Sequence, residues 1–288
     1  MGGWRSRLAD CLVNLVVGFL ITLAVAAVAI AAMLLVRRRA PEGSYFTDGD
    51  RASGVFGVIA TGFSVLLGFI VFLAFTSYDQ SRSGAESEAR LVVQQVQTAQ
   101  FLPTSVSGRL TGQLVCYGRF VVHEEWPQMR DGTIGNSLNP WAVAMFQTLR
   151  TVQPQSDTEQ SAYDHWIEQT SDREQARQDR VHSASGVIPP SLWVVLLFIS
   201  AVVFGYMLFF ADPSEGAVSQ AMLMGAVTSV ITVLLLLLVT LNRPYQSGVG
   251  GLQPAAMERS LDMVSKALTA IDARVVVPCD ANGFKTAS

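Results

Sequence analysis

The sequence predicts an all-α membrane protein with four transmembrane helices arranged as two hairpins. Half of its 288 residues are hydrophobic and only 15% are charged, against about 25% charged in a soluble globular domain. Four separate stretches are long enough for the roughly 20 apolar residues that a helix needs to cross a hydrocarbon core. None of the four contains Asp, Glu, Lys or Arg, and one such charge at the bilayer centre costs on the order of 2.5–3.5 kcal/mol on insertion scales.

The first crossing runs from Cys11 to Val36. Its basic start, MGGWRSR, and its run AVAAVAIAA have some signal-peptide character. A signal h-region spans about 7–15 residues, however, and this run is longer and stops at Arg37, Arg38 and Arg39. A retained helix is therefore expected. The second crossing, 52–78, completes hairpin 1 within residues 1–78. Hairpin 2 occupies 190–242, with helices over 190–211 and 216–242. The joining sequence DPSEG is too short for anything but an antiparallel turn.

Between the hairpins, residues 79–189 read as a helical domain. ESEARLVVQQVQTAQFL places Ala89, Val92, Val93, Val96 and Ala99 on one face, and the proline of FLP disfavours helix before it. The next segment sets Leu110, Leu114, Tyr117 and Val121 at spacings of three and four. Pro127 is expected to stop that helix, and PQMRDGTIGNSLNP is turn chemistry. WAVAMFQTLRTV and SAYDHWIEQTSDREQARQDRVHSA supply two more helices, the second with Tyr163, Trp166 and Ile167 on its apolar side. No period-2 alternation suggests a sheet. After the Gly/Pro-rich exit NRPYQSGVGGLQP, the tail 243–288 carries an amphipathic helix over 255–275. Met257, Leu261, Val264, Leu268 and Ile271 share its apolar face, which would dock on the helical domain or lie on the membrane.

Four crossings put both termini and the long segment on one side. That side carries eight arginines near membrane ends (Arg5, Arg7, Arg82, Arg90, Arg173, Arg177, Arg180 and Arg243) against four on the other, Arg37 to Arg39 and Arg51. The positive-inside rule then places the termini and the long segment in the cytoplasm.

The residues carry little sign of catalysis, cofactor or metal. Cys11, Cys116 and Cys279 form no C-x-x-C pair and suggest no disulfide framework. His123, His165 and His182 are scattered, and no P-loop, G-x-S-x-G or H-E-x-x-H occurs. A formal charge of −3 does not suggest a nucleic-acid partner. No acidic, basic or histidine residue lies inside a crossing, whereas proton-coupled transporters normally need one. The crossings do carry rows of small and hydroxyl residues. Ala60, Ser64 and Gly68 form one row, Gly57 and Thr61 a parallel one, and Gly225, Thr228 and Thr232 a third. Such rows let helices approach closely. Alternatively they line a pore, with Phe56 or Phe63 as a constriction.

SEARLVVQQVQTAQFLP, LVCYGRFVVHEEWPQM, RQDRVHSASGVIPPSLWVVL and LNRPYQSGV, in this order and membrane context, resemble the successive motifs of the bestrophin-like domain family of bacterial membrane proteins. The resemblance covers about residues 50–255. The positions that carry it are Glu88, Ala89, Tyr117, Glu125, Trp126, Pro127, Arg180, Pro190, Trp193, Arg243 and Pro244. An acidic residue usually precedes the Arg-Pro pair in that family, and here Asn242 stands there. The resemblance implies a multi-pass protein of the bacterial cytoplasmic membrane and distant kinship to oligomeric bestrophin anion channels. No acidic cluster suggests calcium gating.

Arg173, Arg177 and Arg180, at helical spacing just before the third crossing, have two readings. They form a solvated face that touches lipid headgroups, or each copy in a homo-oligomer points them into a vestibule that concentrates small anions. The expected function is thus a passive anion channel. The alternative is a non-conducting, membrane-anchored scaffold or sensor that binds a protein partner, in which Glu88, Glu125, Trp126 and Arg180 hold the helical domain together.

Overall fold

The computed structural model describes residues 2–41, 45–46, 48–133, 138–246, 248, 250–272 and 275–286, with side chains from Leu15 onward. Arg5, Arg7, the Cys11 end of the first crossing and part of the 127–140 turn therefore lie outside the described residues or side chains. The described residues contain helices and one isolated bridge, between Cys279 and Lys285. The chain divides into two compact units.

The first unit holds residues 1–76, 187–242 and 247–250. It contains α1 (Gly2–Arg37), the first part of α2 (Gly49–Ala99), α7 (Pro190–Phe209) and α8 (Ala217–Asn242). Each is long and apolar enough to cross a membrane. Their large apolar side chains are turned outward, as with Phe19 at 67% and Val194 at 68% exposure. Hydrocarbon, and not water, is the solvent for which such surfaces are stable. The helix α1 packs along α8 and touches α7. At Gly225 the two helices come close: a Cβ there would stand 3.0 Å from Cδ1 of Ile30. At the far end of α1, Arg37 donates to the carbonyl oxygens of Asp212, Pro213 and Glu215. The α7–α8 turn and the end of α1 thus meet at one membrane face, with their backbone acceptors satisfied by one guanidinium.

The second unit holds residues 77–186, 243–246 and 251–288. It contains the rest of α2, α3 (Thr104–Phe120), α4 (Trp126–Arg130), α5 (Pro140–Leu149), α6 (Asp157–Val181) and α9 (Ala255–Ala270). Its core includes Val92, Leu110, Leu114, Tyr117, Trp166, Met257 and Val264. Three expectations change here. No helix ends at 78: α2 continues to Ala99, because no proline interrupts it before Pro103. Gly84 does not break it either. It lets α6 come against α2, since a Cβ there would sit 2.5 Å from the backbone N of Arg180. Pro127 does not stop its helix. A π turn over Val121–Glu125 joins α3 to α4. The wider turn accommodates the missing N–H and the ring clash that proline brings to an α-helix. Ile167, placed on the apolar side of α6, is 47% exposed.

The amphipathic helix ends at Ala270 and docks on α3, where Gly118 leaves room for Leu261. Beyond it, the described tail residues 275–286 also lie on α3. A Cβ on Gly112 would meet the Val276 carbonyl at 2.2 Å, and one on Gly283 (φ +88°) would meet the Phe120 nitrogen at 2.4 Å. Between these close approaches Cys116 and Cys279 are joined by a disulfide across 163 residues. This corrects the reading of isolated cysteines: distance in sequence gave no hint of a shared site.

Candidate functional site

Two constellations emerge. The first is the outward face of α2. Successive helix positions turn by about 100°, so residues 56, 63, 67, 70 and 74 fall on one side and 57, 61, 64 and 68 fall on another. The first set faces the unit's own helices: Phe63, Leu67, Ile70 and Ala74 are buried, and Phe56 packs on Tyr206 and Phe210 at ring distances of 5.7 and 6.0 Å. The second set is exposed. Among the described residues, nothing lies within 4 Å of a Cβ built on Gly57 or Gly68. Ser64 donates its hydroxyl to the Ala60 carbonyl.

The pore-lining candidates therefore separate. Thr61, Ser64 and Gly68 share an open face. Phe56 and Phe63 lie on the packed side and cannot constrict a lumen lined by the other three. Thr228 and Thr232 face a cleft of about 480 Å³ among α1, α7 and α8, with Thr232 donating to the Thr228 carbonyl. Gly225, in the same row, packs against Ile30 of α1.

The second constellation lies in the helical unit. Arg180, on α6, is fully buried. Its Nε donates to Glu88, and its Nη2 donates to Glu88 at 3.1 Å and to Glu125. Its Nη1 meets the sulfur of Met129 at 3.4 Å, and Trp126 lies beneath its guanidinium plane at 5.6 Å. Tyr117 donates to Glu88 at 2.5 Å. Glu125 sits in the π turn and also accepts from Arg177 and from Asn139 at 3.3 Å. Arg173 donates to Gln95, and its guanidinium lies 4.6 Å over the Tyr117 ring. The backbone carbonyl of Arg180 accepts from the Tyr245 hydroxyl, and Tyr245 packs edge-on against Trp126 at 5.5 Å.

Burial pulls the Arg180 guanidinium down, but Glu88 and Glu125 outweigh it and hold its pKa well above the ordinary value. Burial raises the Glu125 carboxyl, yet Arg180 and Arg177 bring it below the usual range. Burial first, then Glu88, pushes the Tyr117 hydroxyl well up. Burial pushes Tyr245 up to about 12. Arg180 and Glu125 are thus held in their charged forms and Tyr117 and Tyr245 in their neutral forms.

This corrects the arginine row. The headgroup and vestibule readings both required exposed guanidinium groups, but Arg173 is 2% and Arg180 0% exposed. Every donor edge of Arg180 is turned to a protein partner. Arg177 is partly buried and bound to Glu125 and Glu174. Such groups cannot draw anions from water or touch headgroups.

Of the other motif positions, Ala89 is buried in the helical core. Pro127 is exposed on α4, and Pro190 opens α7 with Trp193 in its first turn. Arg243 is exposed and Pro244 buried. Asn242 accepts from the backbone N–H groups of Val187 and Ile188 at 2.9 and 2.8 Å. An acidic side chain could accept the same pair, so here the position serves backbone capping through a neutral oxygen. Sequence reasoning missed Gln95, Asn139 and Tyr245 as members of the cluster, although Tyr245 follows directly on the Arg-Pro pair.

A family model described as the bestrophin-like domain matches residues 23–257. No curated protein matches the chain. Among solved structures, a bacterial bestrophin homologue from Klebsiella pneumoniae carrying an isoleucine-to-threonine mutation is similar with a TM-score of 0.64 and 13% identity. The match covers 89% of this chain and 99% of that one. A zinc-phased structure of a bestrophin homologue from the same organism gives 0.63 and 14%, covering 87% and 98%. At these identities the likeness concerns the fold.

Proposed function

This chain belongs to the bestrophin-like family, and on that premise we propose that it is a homo-oligomeric channel that passes small anions of the chloride type passively. Its site is a bacterial cytoplasmic membrane, with the termini and helical unit on the cytoplasmic side. The observation that carries the proposal is the open face of α2. Gly57, Thr61, Ser64 and Gly68 would let neighbouring helices or hydrated ions come close, yet among the described residues nothing lies within 4 Å of a Cβ built on Gly57 or Gly68. The Thr61 hydroxyl makes no hydrogen bond among the described residues and is available as a donor to an anion. Copies arranged around this face would line an axis that carries no acidic, basic or histidine side chain from 52 to 78.

The test is chloride efflux from liposomes holding purified protein. Gly68→Trp fills the open face and is expected to lower the flux at least about tenfold. Val194→Trp, on an outward face of α7, should leave it within about twofold. Equal effects of the two variants would contradict the assignment of the α2 face, and a reversal potential set by cations would contradict anion selectivity. A stable oligomer without flux would favour the scaffold reading, which draws support from the closed arginine cluster: a fully engaged ion network holds a shape and binds no passing ion.

A further inference from the structure

The helical unit has a second feature that the channel reading does not use. A groove of about 920 Å³ lies between α3, α5 and the tail segment fastened by the Cys116–Cys279 disulfide. Its volume is in the range of small-molecule sites, which are mostly apolar with a few placed polar groups. Phe120, Trp141, Val143 and Phe284 supply apolar wall. Two contacts tie the walls together. Trp141 donates its indole N–H to the Gly283 carbonyl at 2.6 Å, and Phe284 packs edge-on against Phe120 at 5.8 Å.

The charge in this groove is of one sign. Acidic residues outnumber basic ones in the whole chain by 23 to 20, yet the lining contains Arg109 and Lys285 and no carboxylate. Neither cation forms an ion pair or hydrogen bond among the described residues. The first turn of α3, Thr104 and Ser105, borders the same groove without a side-chain cap, and the positive end of a helix dipole favours an anion. Gln113 gives an independent sign. Its side chain borders the groove at 8% exposure, and its carbonyl oxygen has no hydrogen-bond partner. A buried amide oxygen left in this state costs free energy that a partner would recover.

We propose that this groove binds a small organic anion: a carboxylate held by Arg109 and Lys285, an apolar or aromatic body against Trp141 and Phe284, and a hydroxyl or N–H group that donates to the Gln113 carbonyl oxygen. The site does not depend on conduction, so it stands or falls separately from the channel reading.

Photolabelling of the full-length protein in nanodiscs with 4-azidobenzoate tests it, read by peptide mass mapping. Labels are expected on peptides from 104–120, 140–151 or 276–286. Arg109→Ala with Lys285→Ala should lower that labelling at least about tenfold while the particle keeps its oligomeric size. The uncharged 4-azidobenzamide should label at least about tenfold less. Excess phenylacetate should compete. Labels elsewhere, labelling unchanged in the double variant, or equal labelling by the amide would overturn the proposal.

Discussion

Arg180→Met is expected to cost the helical unit about 3–5 kcal/mol, the range for removing one partner of a buried ion pair. The variant leaves Glu88 and Glu125 buried with no cation between them. Arg177 still reaches Glu125 but does not replace the pair to Glu88. Replacing all three together, Arg180→Met with Glu88→Gln and Glu125→Gln, should recover much of the loss, because well-packed neutral substitutes often match a buried ion pair. Resistance of the helical unit to trypsin in detergent, measured against urea, separates the two variants. Equal instability would mean that shape, and not charge, dominates the site. The wild-type contribution also has a pH sign. The Glu125 pKa is lowered on folding, so its stabilisation is present in full above the unfolded carboxylate range, near pH 4–5. It disappears as pH falls through the folded value. Arg180 stays charged throughout that window.

Cys279→Ser is expected to loosen the tail from α3 by about 2–4 kcal/mol relative to the oxidised protein, the usual contribution of a disulfide closing a long loop. The remaining contacts, Trp141 to Gly283 and Phe120 to Phe284, should still dock the tail at low denaturant. Protease cleavage after Arg274 or Lys285 under graded urea reports the difference. The same bond reads out the compartment. A cytoplasm keeps thiols reduced, so the proposed orientation predicts that Cys116 and Cys279 are trapped as thiols in intact cells and as a disulfide after purification in air. A fully oxidised pair in freshly quenched cells would place the helical unit on the other side of the membrane. The arginine count is open to that reversal. Long domains translocate largely regardless of charge, and setting aside residues 79–189 removes five of its eight residues.

The membrane helices were legible because lipid imposes one simple rule, a long run without charge, and the sequence obeys it four times. Where a helix leaves the apolar region is less visible. Nothing in the chain stops α2 at Tyr78, and its continuation to Ala99 follows from the absence of a breaker. The arginine row was misread for an instructive reason. Ala162, Trp166, Gln169, Arg173, Ala176 and Arg180 follow one another at spacings of three and four and are all buried. The polar residues thus continue the stripe that Trp166 begins, a sign that was present in the sequence. Periodicity alone does not supply the partners, since Glu88 and Glu125 lie 92 and 55 residues from Arg180; only the family motifs group them with it. The disulfide is the extreme case, since only the docked tail brings its cysteines together. The rows of small residues looked alike in sequence, yet Gly225 meets Ile30 while Gly57 and Gly68 meet none of the described residues.

Images of the detergent-solubilised particle test the channel account most directly. The account predicts a ring of identical copies around one axis, with the Gly57, Thr61, Ser64 and Gly68 face of α2 turned toward it. A monomer, or a ring with that face on the lipid-facing rim, would contradict it.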